Sequence, residues 1–235
     1  MNKDRLFCGI CIFLLVLLFP VSAILGQAPD EEVVDIRVNS QAELLARQQA
    51  ESLNNEGYEY LEAEQYAAAE DLFRQALALD SSSQLYYENL ARSLGGQQKI
   101  AQVVTVYSQA QRQFPEVSDL YYYRADALQK LKQYKAARDD YSRAIALASS
   151  HPDTQLLHLY FFNRGNTYLK QHNYAAAQQD YDQALRINGY HYGSYANRGF
   201  ARFNLKDKEG ACADWLKAQE AGYEEAHQYL AKYCR

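Results

Sequence analysis

The sequence has no excess of positive charge. Its 24 lysines and arginines are outnumbered by 29 aspartates and glutamates, and the formal net charge is −5 at pH 7. A surface that binds nucleic acid needs a basic face to neutralise the phosphates. The composition therefore disfavours a nucleic-acid partner.

The sequence also lacks the short motifs that carry catalysis. It contains no G-x-S-x-G nucleophile elbow, no phosphate-binding P-loop and no G-x-G-x-x-G dinucleotide fingerprint. Its five histidines form no H-x3-H pair, and no cysteine lies at metal-ligand spacing from them. We therefore predict a protein that is not an enzyme and that uses neither a cofactor nor a metal.

What the sequence does contain is an internal repeat with a period of 34 residues. A glycine or alanine recurs at Gly57, Ala91, Ala125, Gly165 and Gly199. An aromatic residue stands sixteen positions after each of them, at Phe73, Tyr107, Tyr141, Tyr181 and Trp215. An alanine follows three positions later, at Ala76, Ala110, Ala144, Ala184 and Ala218. A fixed period of this size is typical of stacked helical arrays, which usually bind other proteins.

Each repeat has the pattern of two helices. In the first repeat, apolar residues at helical spacing lie on both sides of a break near residues 63–65. We expect the small residue to lie where the two helices cross, because only glycine or alanine lets the backbones approach closely. The aromatic residue then fills the space between successive hairpins. One hairpin cannot bury its apolar face alone, whereas a stack of five buries a continuous core.

These positions resemble the tetratricopeptide repeat, whose pattern is W-x2-L-G-x2-Y, then A-x3-F, then P. The third repeat carries it as Tyr121, Ala125, Leu128, Tyr134, Ala137, Tyr141 and Ala144. The resemblance covers roughly residues 50–223. Two departures are Arg202, where the family prefers tyrosine, and Lys208, where three other repeats have tyrosine. The resemblance implies an all-α, right-handed superhelical solenoid of about five helix-turn-helix repeats, with eleven or twelve helices in all.

The repeats are predicted at residues 50–83, 84–117, 118–151, 158–191 and 192–223. Six extra residues precede the fourth repeat, so the third is followed by an insertion to residue 157. We expect a longer loop there and an early start of the next helix at Pro152, because proline suits a first helical turn. The pair Gly95-Gly96 predicts the hairpin turn of the second repeat. Residues 224–234 are predicted to form a capping helix, because Ala226, Tyr229, Leu230 and Tyr233 fall on one face.

The N-terminal region resembles a secretory signal peptide over residues 1–26. A short basic start precedes an apolar run from Leu6 to Phe19, and small residues follow Pro20. The alternative is an uncleaved anchor, because about 20 apolar residues suffice to span a bilayer. An acidic tether is predicted at residues 27–40. Ser40 and Glu43 form a capping box, so the solenoid, residues 41–235, is expected to begin with a helix near Gln41.

The end of the chain resembles the closing repeats of exported envelope tetratricopeptide proteins of Bacteroidetes-type bacteria, over Lys206–Trp215 and Lys232–Cys234. That resemblance implies a periplasmic or secreted protein. The alternative is anchoring in the inner membrane, facing the periplasm. We also predict a disulfide between Cys212 and Cys234. They lie ten residues before and twelve residues after Gly222, so in antiparallel helices they come level, and an exported protein meets an oxidising compartment.

In the family, the first helix of each repeat lines a concave groove. Carried over, the groove positions of this chain include Tyr58, Glu88, Arg92, Tyr122, Asp126, Phe162, Asn166, Lys170, Phe200 and Phe203. The groove is thus predicted to be acidic near its start and aromatic near its end. Arg124, Arg164 and Arg198 recur just before the small residue. They predict an inter-repeat salt bridge or hydrogen bond, and the alternative is a site for a phosphate or carboxylate.

The predicted function is a non-catalytic scaffold or adaptor in the bacterial cell envelope. It would bind a peptide segment or a partner protein in the concave groove. The alternative is a structural or accessory subunit of an envelope transporter or enzyme, which would use the convex or end surfaces. A membrane contact is expected only if the N-terminal segment stays uncleaved.

Overall fold

The computed structural model of the protein describes residues 31–150 and 156–234. Within these ranges the chain forms eleven helices and no strand, which confirms the predicted all-α class. The helices are α1 (Glu31–Glu62), α2 (Tyr66–Leu79), α3 (Gln84–Gly96), α4 (Ile100–Gln113), α5 (Ser118–Lys130), α6 (Tyr134–Ala148), α7 (Leu157–Lys170), α8 (Tyr174–Ile187), α9 (Tyr192–Asn204), α10 (Lys208–Glu220) and α11 (Glu224–Tyr233).

The chain divides into two units, one up to Leu45 and one from Ala46 onward. In the first part, the described residues 31–45 are helical throughout. The second part holds the repeats. From α2 to α11, each helix packs against the next one in the chain. The first helices of the third, fourth and fifth repeats, α5, α7 and α9, also contact each other, α5 with α7 and α7 with α9. Successive hairpins therefore stack side by side, which lines up the first helices of neighbouring repeats.

The first helix begins at Glu31, ten residues before the predicted start near Gln41. The predicted acidic tether, residues 27–40, is therefore helical from Glu31 onward. Residues 31–40 contain neither proline nor glycine. Because no helix-breaking residue is present there, the helix can begin before the predicted cap at Ser40. The predicted signal peptide or anchor, residues 1–26, lies outside the described residues. No helix in the described ranges is long and apolar enough to cross a membrane.

The small residue of the repeat lies where the two helices cross, as predicted. A Cβ atom added to Gly57 or Gly165 would lie 2.8 Å from a ring carbon of Phe73 or Tyr181 in the same repeat. At Gly199 it would lie 2.6 Å from Trp215 Nε1. These three rings are fully buried. Glycine therefore allows a large ring to pack against the backbone of the facing helix.

Each hairpin turns at a residue with a positive φ angle. These residues share one position, seven places after the small residue, and are Glu64, Gln98, Lys132, His172 and Lys206. The next residue donates its backbone N–H to a carbonyl five residues earlier, as Gln65 does to Tyr60 at 2.9 Å. This is the left-handed helix ending that glycine usually occupies. The pair Gly95-Gly96 closes α3 just before this turn, whereas the sequence predicted that it forms the turn itself.

The insertion before the fourth repeat separates α6, which ends at Ala148, from α7, which begins at Leu157. Pro152, the predicted start of the fourth repeat's first helix, lies outside the described residues. At the other end, α11 packs on α10 as a cap, with Ala226 fully buried and Tyr229, Leu230 and Tyr233 against the same cluster. Cys212 and Cys234 are joined by a disulfide, with their Cα atoms 5.8 Å apart, which is the predicted pairing.

Candidate protein-binding groove

The first residues of the candidate groove lie on α1 and α3. Tyr58 keeps 43% of its surface exposed. The Arg92 guanidinium lies over its ring, 5.6 Å from the ring centre. Arg92 also pairs with Glu62, with 3.4 Å between Nη2 and Oε1. The arginine therefore connects the first helices of the first two repeats, and the tyrosine ring still faces solvent.

A cavity of about 390 Å³ lies between the second and third repeats. It brings together four residues at predicted groove positions: Glu88, Arg92, Asp126 and Lys130. Lys130, one turn after Asp126 on α5, completes the charged rim. The rest of the lining consists of Ala91, Gly95, Ile100, Val103, Tyr107, Tyr123 and Ala127.

Two tyrosines in this cavity were not predicted as groove residues. Tyr107 and Tyr123 stack with ring centres 5.8 Å apart and planes 20° from parallel. Tyr107 is the core aromatic of the second repeat, so its position alone gave no reason to expect contact with the groove. The signal that points to it is Gly95, because the other repeats carry a larger side chain at the corresponding position.

Burial and nearby carboxylates both disfavour ionisation of these two tyrosines. Burial raises the pKa of Tyr107, and the Glu88 carboxylate raises it further. Burial also raises the pKa of Tyr123, with Asp119 and Glu88 adding to the effect. Both shifts have the sign expected when carboxylates disfavour a phenolate. The two rings therefore remain neutral hydrogen-bonding and packing surfaces.

Tyr122 is more enclosed than a free groove residue. Its ring stacks on Tyr160 with centres 4.8 Å apart. Its hydroxyl accepts a hydrogen bond of 2.8 Å from Asn163 Nδ2. Burial raises the pKa of Tyr122 to about 12, with Asp126 as the next cause. Tyr122 thus joins the third and fourth repeats and offers the groove only part of its ring.

Asn166 lies inside a polar ladder that continues toward the fifth repeat. Its Oδ1 accepts hydrogen bonds from Tyr181 Oη at 2.8 Å and from Asn197 Nδ2 at 2.7 Å. Its Nδ2 donates to Asn163 Oδ1 at 3.4 Å. The carbonyl oxygen of Asn166 is therefore already used between the fourth and fifth repeats. Lys170, at the end of α7, is exposed.

The three predicted groove phenylalanines are in different environments. Phe162 is half-buried against His191, with ring centres 4.6 Å apart. Phe200 remains 37% exposed and makes an edge contact with the Tyr174 ring. Phe203 packs against Trp215 and against Tyr233 of the capping helix, with ring centres 5.9 and 4.5 Å away. The cap thus covers much of Phe203, and Phe200 is the open ring at this end.

The recurring arginines bind carboxylates of their own chain. Arg124, Arg164 and Arg198 each hold both oxygens of an aspartate on the second helix of the same repeat, at 2.6–2.9 Å, namely Asp140, Asp180 and Asp214. Each also donates through Nη1 to the second helix of the preceding repeat, to Ser108, Ser142 and Asp182. Their main salt bridge is therefore within a repeat, and the inter-repeat bond is the additional one. They are not free to bind a phosphate.

Arg202, which departs from the family pattern, also reaches Asp214. Its Nη1 lies 2.9 Å from Asp214 Oδ2. The last repeat therefore surrounds one buried carboxylate with two guanidinium groups. Within the described residues, no group of histidine, cysteine, aspartate and glutamate side chains is arranged to hold a metal ion.

Three sequence profiles described as tetratricopeptide repeat match the chain, over residues 50–83, 88–152 and 159–191. Together they cover more than half of it. They do not reach the fifth repeat, which the structure shows as the hairpin of α9 and α10. No curated protein sequence matches the chain.

Solved structures with the same fold share little sequence with it. MamA is 17% identical, with a TM-score of 0.66 over 79% of this chain and 96% of MamA. PilF of Pseudomonas aeruginosa is 18% identical, with a TM-score of 0.63 over 75% of this chain and 78% of that one. YrrB, described as a TPR protein with an unusual peptide-binding site, is 19% identical, with a TM-score of 0.65 over 87% of this chain and 100% of YrrB.

Proposed function

The chain belongs to the tetratricopeptide repeat family, and on that premise we propose that it is a non-catalytic scaffold that binds a segment of a partner protein along the groove. The observation that carries this proposal is the cavity between the second and third repeats. Groove positions of two neighbouring repeats converge on it, and exposed Tyr58 lies beside its Arg92 wall. Pockets with a few converging polar groups are the usual recognition sites of proteins. The peptide-binding site in the description of YrrB is consistent with this use.

We place the scaffold in the bacterial cell envelope, as an exported protein. The apolar run of residues 6–19 supports export. The disulfide between Cys212 and Cys234 supports an oxidising compartment, because such bonds seldom persist in a reducing cytosol. The check is fractionation of cells that produce the protein. Recovery in the cytosolic fraction with two free thiols would contradict the placement.

The groove is tested with partners captured from envelope extracts by the full chain. Phe200→Ala and Tyr58→Ala should each weaken binding at least about 30-fold, because a buried hot-spot ring contributes about 2 kcal/mol or more. Tyr190→Ala is the comparison for a ring outside the groove, because Tyr190 is 93% exposed in the turn between α8 and α9. Unfolding curves establish that all three variants remain folded. Unchanged affinity in both groove variants would refute binding in the groove.

Tyr190 also bears on the second candidate function. In this function the protein is a structural subunit that binds its partners through an edge of the solenoid. Tyr190 and Tyr192 are strongly exposed, and Tyr192 lies 5.7 Å from the ring centre of Tyr223. These three tyrosines form an aromatic edge at the turns before α9 and α11. Exposed aromatic clusters of this kind often mark interfaces. Loss of partners with Tyr190→Ala, and not with Phe200→Ala, would favour this function over the groove.

A further inference from the structure

The second repeat has a glycine at a position that is larger in every other repeat. Gly95 lies four residues after Ala91, and the corresponding residues are Leu61, Gln129, Leu169 and Phe203. Apart from its chain neighbours and the backbone of its own helix, a Cβ atom added to Gly95 would meet no atom within 4 Å. By contrast, a Cβ atom at neighbouring Gly96 would lie 2.5 Å from the Tyr66 ring. Packing therefore requires glycine at 96 but not at 95, and the missing side chain at 95 leaves the cavity open.

The inner surface of this cavity is apolar and flat on one side. The lining includes the small residues Ala91, Gly95 and Ala127, which leave the cavity deep. It also includes the aliphatic side chains of Ile100 and Val103. The stacked rings of Tyr107 and Tyr123 also line the cavity. A volume of about 390 Å³ accommodates one long side chain of a bound segment. The surface thus favours an elongated aliphatic chain that lies along an aromatic face.

The charged residues at the mouth of the cavity determine which charge the end of a bound side chain can carry. Arg92 is already paired with Glu62 and lies over Tyr58, and Lys130 is paired with Asp126 at 2.9 Å. Glu88 accepts a hydrogen bond of 2.6 Å from Gln84 Nε2. In the part of the chain that the structure describes, no lysine or arginine forms an ion pair with Glu88. Its carboxylate is therefore the charge that remains to be balanced at the mouth of the cavity.

We propose that this cavity is a socket for a lysine or arginine side chain of the bound partner segment. The inference rests on the proposed groove function and specifies its chemistry. The aliphatic stem packs on Val103 and the tyrosine rings, and the cationic end meets Glu88. Long basic side chains bury their stems while they keep the charge solvated or paired. A cation near the tyrosine faces gains a further attraction. An acidic side chain would be repelled by Glu88, and an apolar one would desolvate it without compensation.

The test uses nuclear magnetic resonance on the full chain with three small probes. They are the Nα-acetyl N-methylamides of lysine, norleucine and glutamate. The lysine probe should shift the amide resonances of Gly95 and Ala127, with a dissociation constant about tenfold lower than that of norleucine, because only lysine adds the ion pair and the cation–π contact. The glutamate probe should leave these resonances unchanged.

Three variants make the result specific. Gly95→Leu restores the side chain of the first and fourth repeats and should abolish lysine binding. Gly95→Ala, the matched control, adds one methyl group and should retain it. Glu88→Gln should raise the lysine dissociation constant about threefold, because it removes the ion pair and leaves the cation–π contact with the tyrosines. Equal affinity for norleucine and lysine, or lysine binding that survives Gly95→Leu, would overturn the proposal.

The same variants separate this inference from the groove function. With a captured partner, Phe200→Ala and Tyr58→Ala report on the groove, and Gly95→Leu reports on the socket. A partner lost in the first two variants but bound normally by Gly95→Leu would leave the groove function intact and refute the socket. If the lysine probe binds in the socket but no groove variant weakens the binding of any partner, the proposed groove function is refuted. The proposal that the socket receives a side chain of a bound partner segment is then refuted as well.

Discussion

The second repeat and the three repeats after it build the same hairpin around different buried side chains. In the third, fourth and fifth repeats, an arginine on the first helix holds an aspartate on the second. In the second repeat the corresponding residues are Leu90 and Val106, which are 2% and 3% exposed in one apolar cluster. The backbone therefore accepts either an ion pair or two apolar side chains at this position. The pair is not what makes the hairpin.

A side chain of the preceding repeat explains whether a repeat has the arginine–aspartate pair or the two apolar residues. The arginine of each later repeat also bonds to the residue after the preceding repeat's aromatic, which is Ser108, Ser142 or Asp182. The corresponding neighbour of the second repeat is Arg74. An arginine at position 90 would face this cation, whereas leucine does not. Arg74 is instead held by Glu70, which also binds Lys99. The buried charge network of the first junction is therefore centred on Glu70, and those of the later junctions are centred on arginine.

The largest expected effect comes from removing one member of a later pair. Arg164→Leu leaves Asp180, which is 5% exposed, without its cation. We expect a loss of about 3–5 kcal/mol in the free energy of unfolding, measured with urea. The double variant Arg164→Leu, Asp180→Val copies the second repeat and should recover most of that loss. A loss of less than about 1 kcal/mol in the single variant would contradict the need for a cation beside this buried carboxylate.

The pH dependence of this variant has a definite sign. Burial already raises the pKa of Asp180, and Arg164 offsets this only in part. Without Arg164 the pKa should rise further. A raised native pKa means that the folded state binds more protons, so stability falls as the pH rises through that pKa. The loss caused by Arg164→Leu should therefore be smaller at pH 4 than at pH 7.

The next largest effect is expected from removing the disulfide at the C-terminal end of the solenoid. Only the fifth repeat is tied to the cap by a disulfide in the described residues, across 22 positions of sequence. Cys212→Ser should cost about 3 kcal/mol through the lost loop constraint. Hydrogen exchange should show faster exchange in α11, with the amides of α3 as the internal control. Two freely alkylated thiols in the native protein without reductant would remove the basis of this prediction.

The reverse experiment gives the second repeat the arginine–aspartate pair of the later repeats. Leu90→Arg with Val106→Asp places an arginine beside Arg74 and should destabilise the protein by about 2–3 kcal/mol. Adding Arg74→Ser reproduces the serine found at the next two junctions and should recover much of the loss. Urea unfolding of the double and triple variants measures the difference. Equal stability of the two variants would exclude Arg74 as the reason for Leu90.

The smallest effect concerns the acidic network of the first junction. Burial opposes ionisation of Glu70, but the hydrogen bonds from Lys99, Arg74 and Gln97 prevail and lower its pKa to about 2. A lowered native pKa stabilises the fold above the unfolded pKa of 4.5, and this contribution is lost as the pH falls toward 2. Glu70→Gln should cost about 2 kcal/mol at pH 7, since the partly exposed cations are screened. Its stability should then vary less than that of the parent between pH 4.5 and pH 2.5. An unchanged acid dependence would contradict the assignment.

Much of the fold could be predicted from the spacing of residues along the chain. Small, aromatic and alanine positions recur with one period, and helical periodicity fixes which of them face the neighbouring helix. The cap and the pairing of Cys212 with Cys234 follow from the same arithmetic of helix rise. The start of α1 was predicted wrongly, because a capping box permits a helix to begin without requiring it.

The groove was less predictable, because its character depends on contacts between repeats. The sequence placed Phe200 and Phe203 on the same face, but only the packing of Tyr233 on Phe203 distinguished the covered ring from the open one. The aspartate partners of the recurring arginines lie sixteen residues away, on a different helix. Helical periodicity describes neighbours on one helix and says nothing about which side chains meet across two.

Local periodicity was therefore enough to predict the helical hairpin, the number of repeats and the buried face of each helix. How neighbouring repeats share charge, and where they leave space between them, depends on contacts between helices that are far apart in the sequence. Gly95 is an ordinary helix-ending glycine in the sequence. It lines a cavity only because Tyr107, Tyr123 and Ala127, from other helices, surround a volume that no side chain fills. Such volumes arise from the stacking of repeats, which is where close packing is either completed or left open.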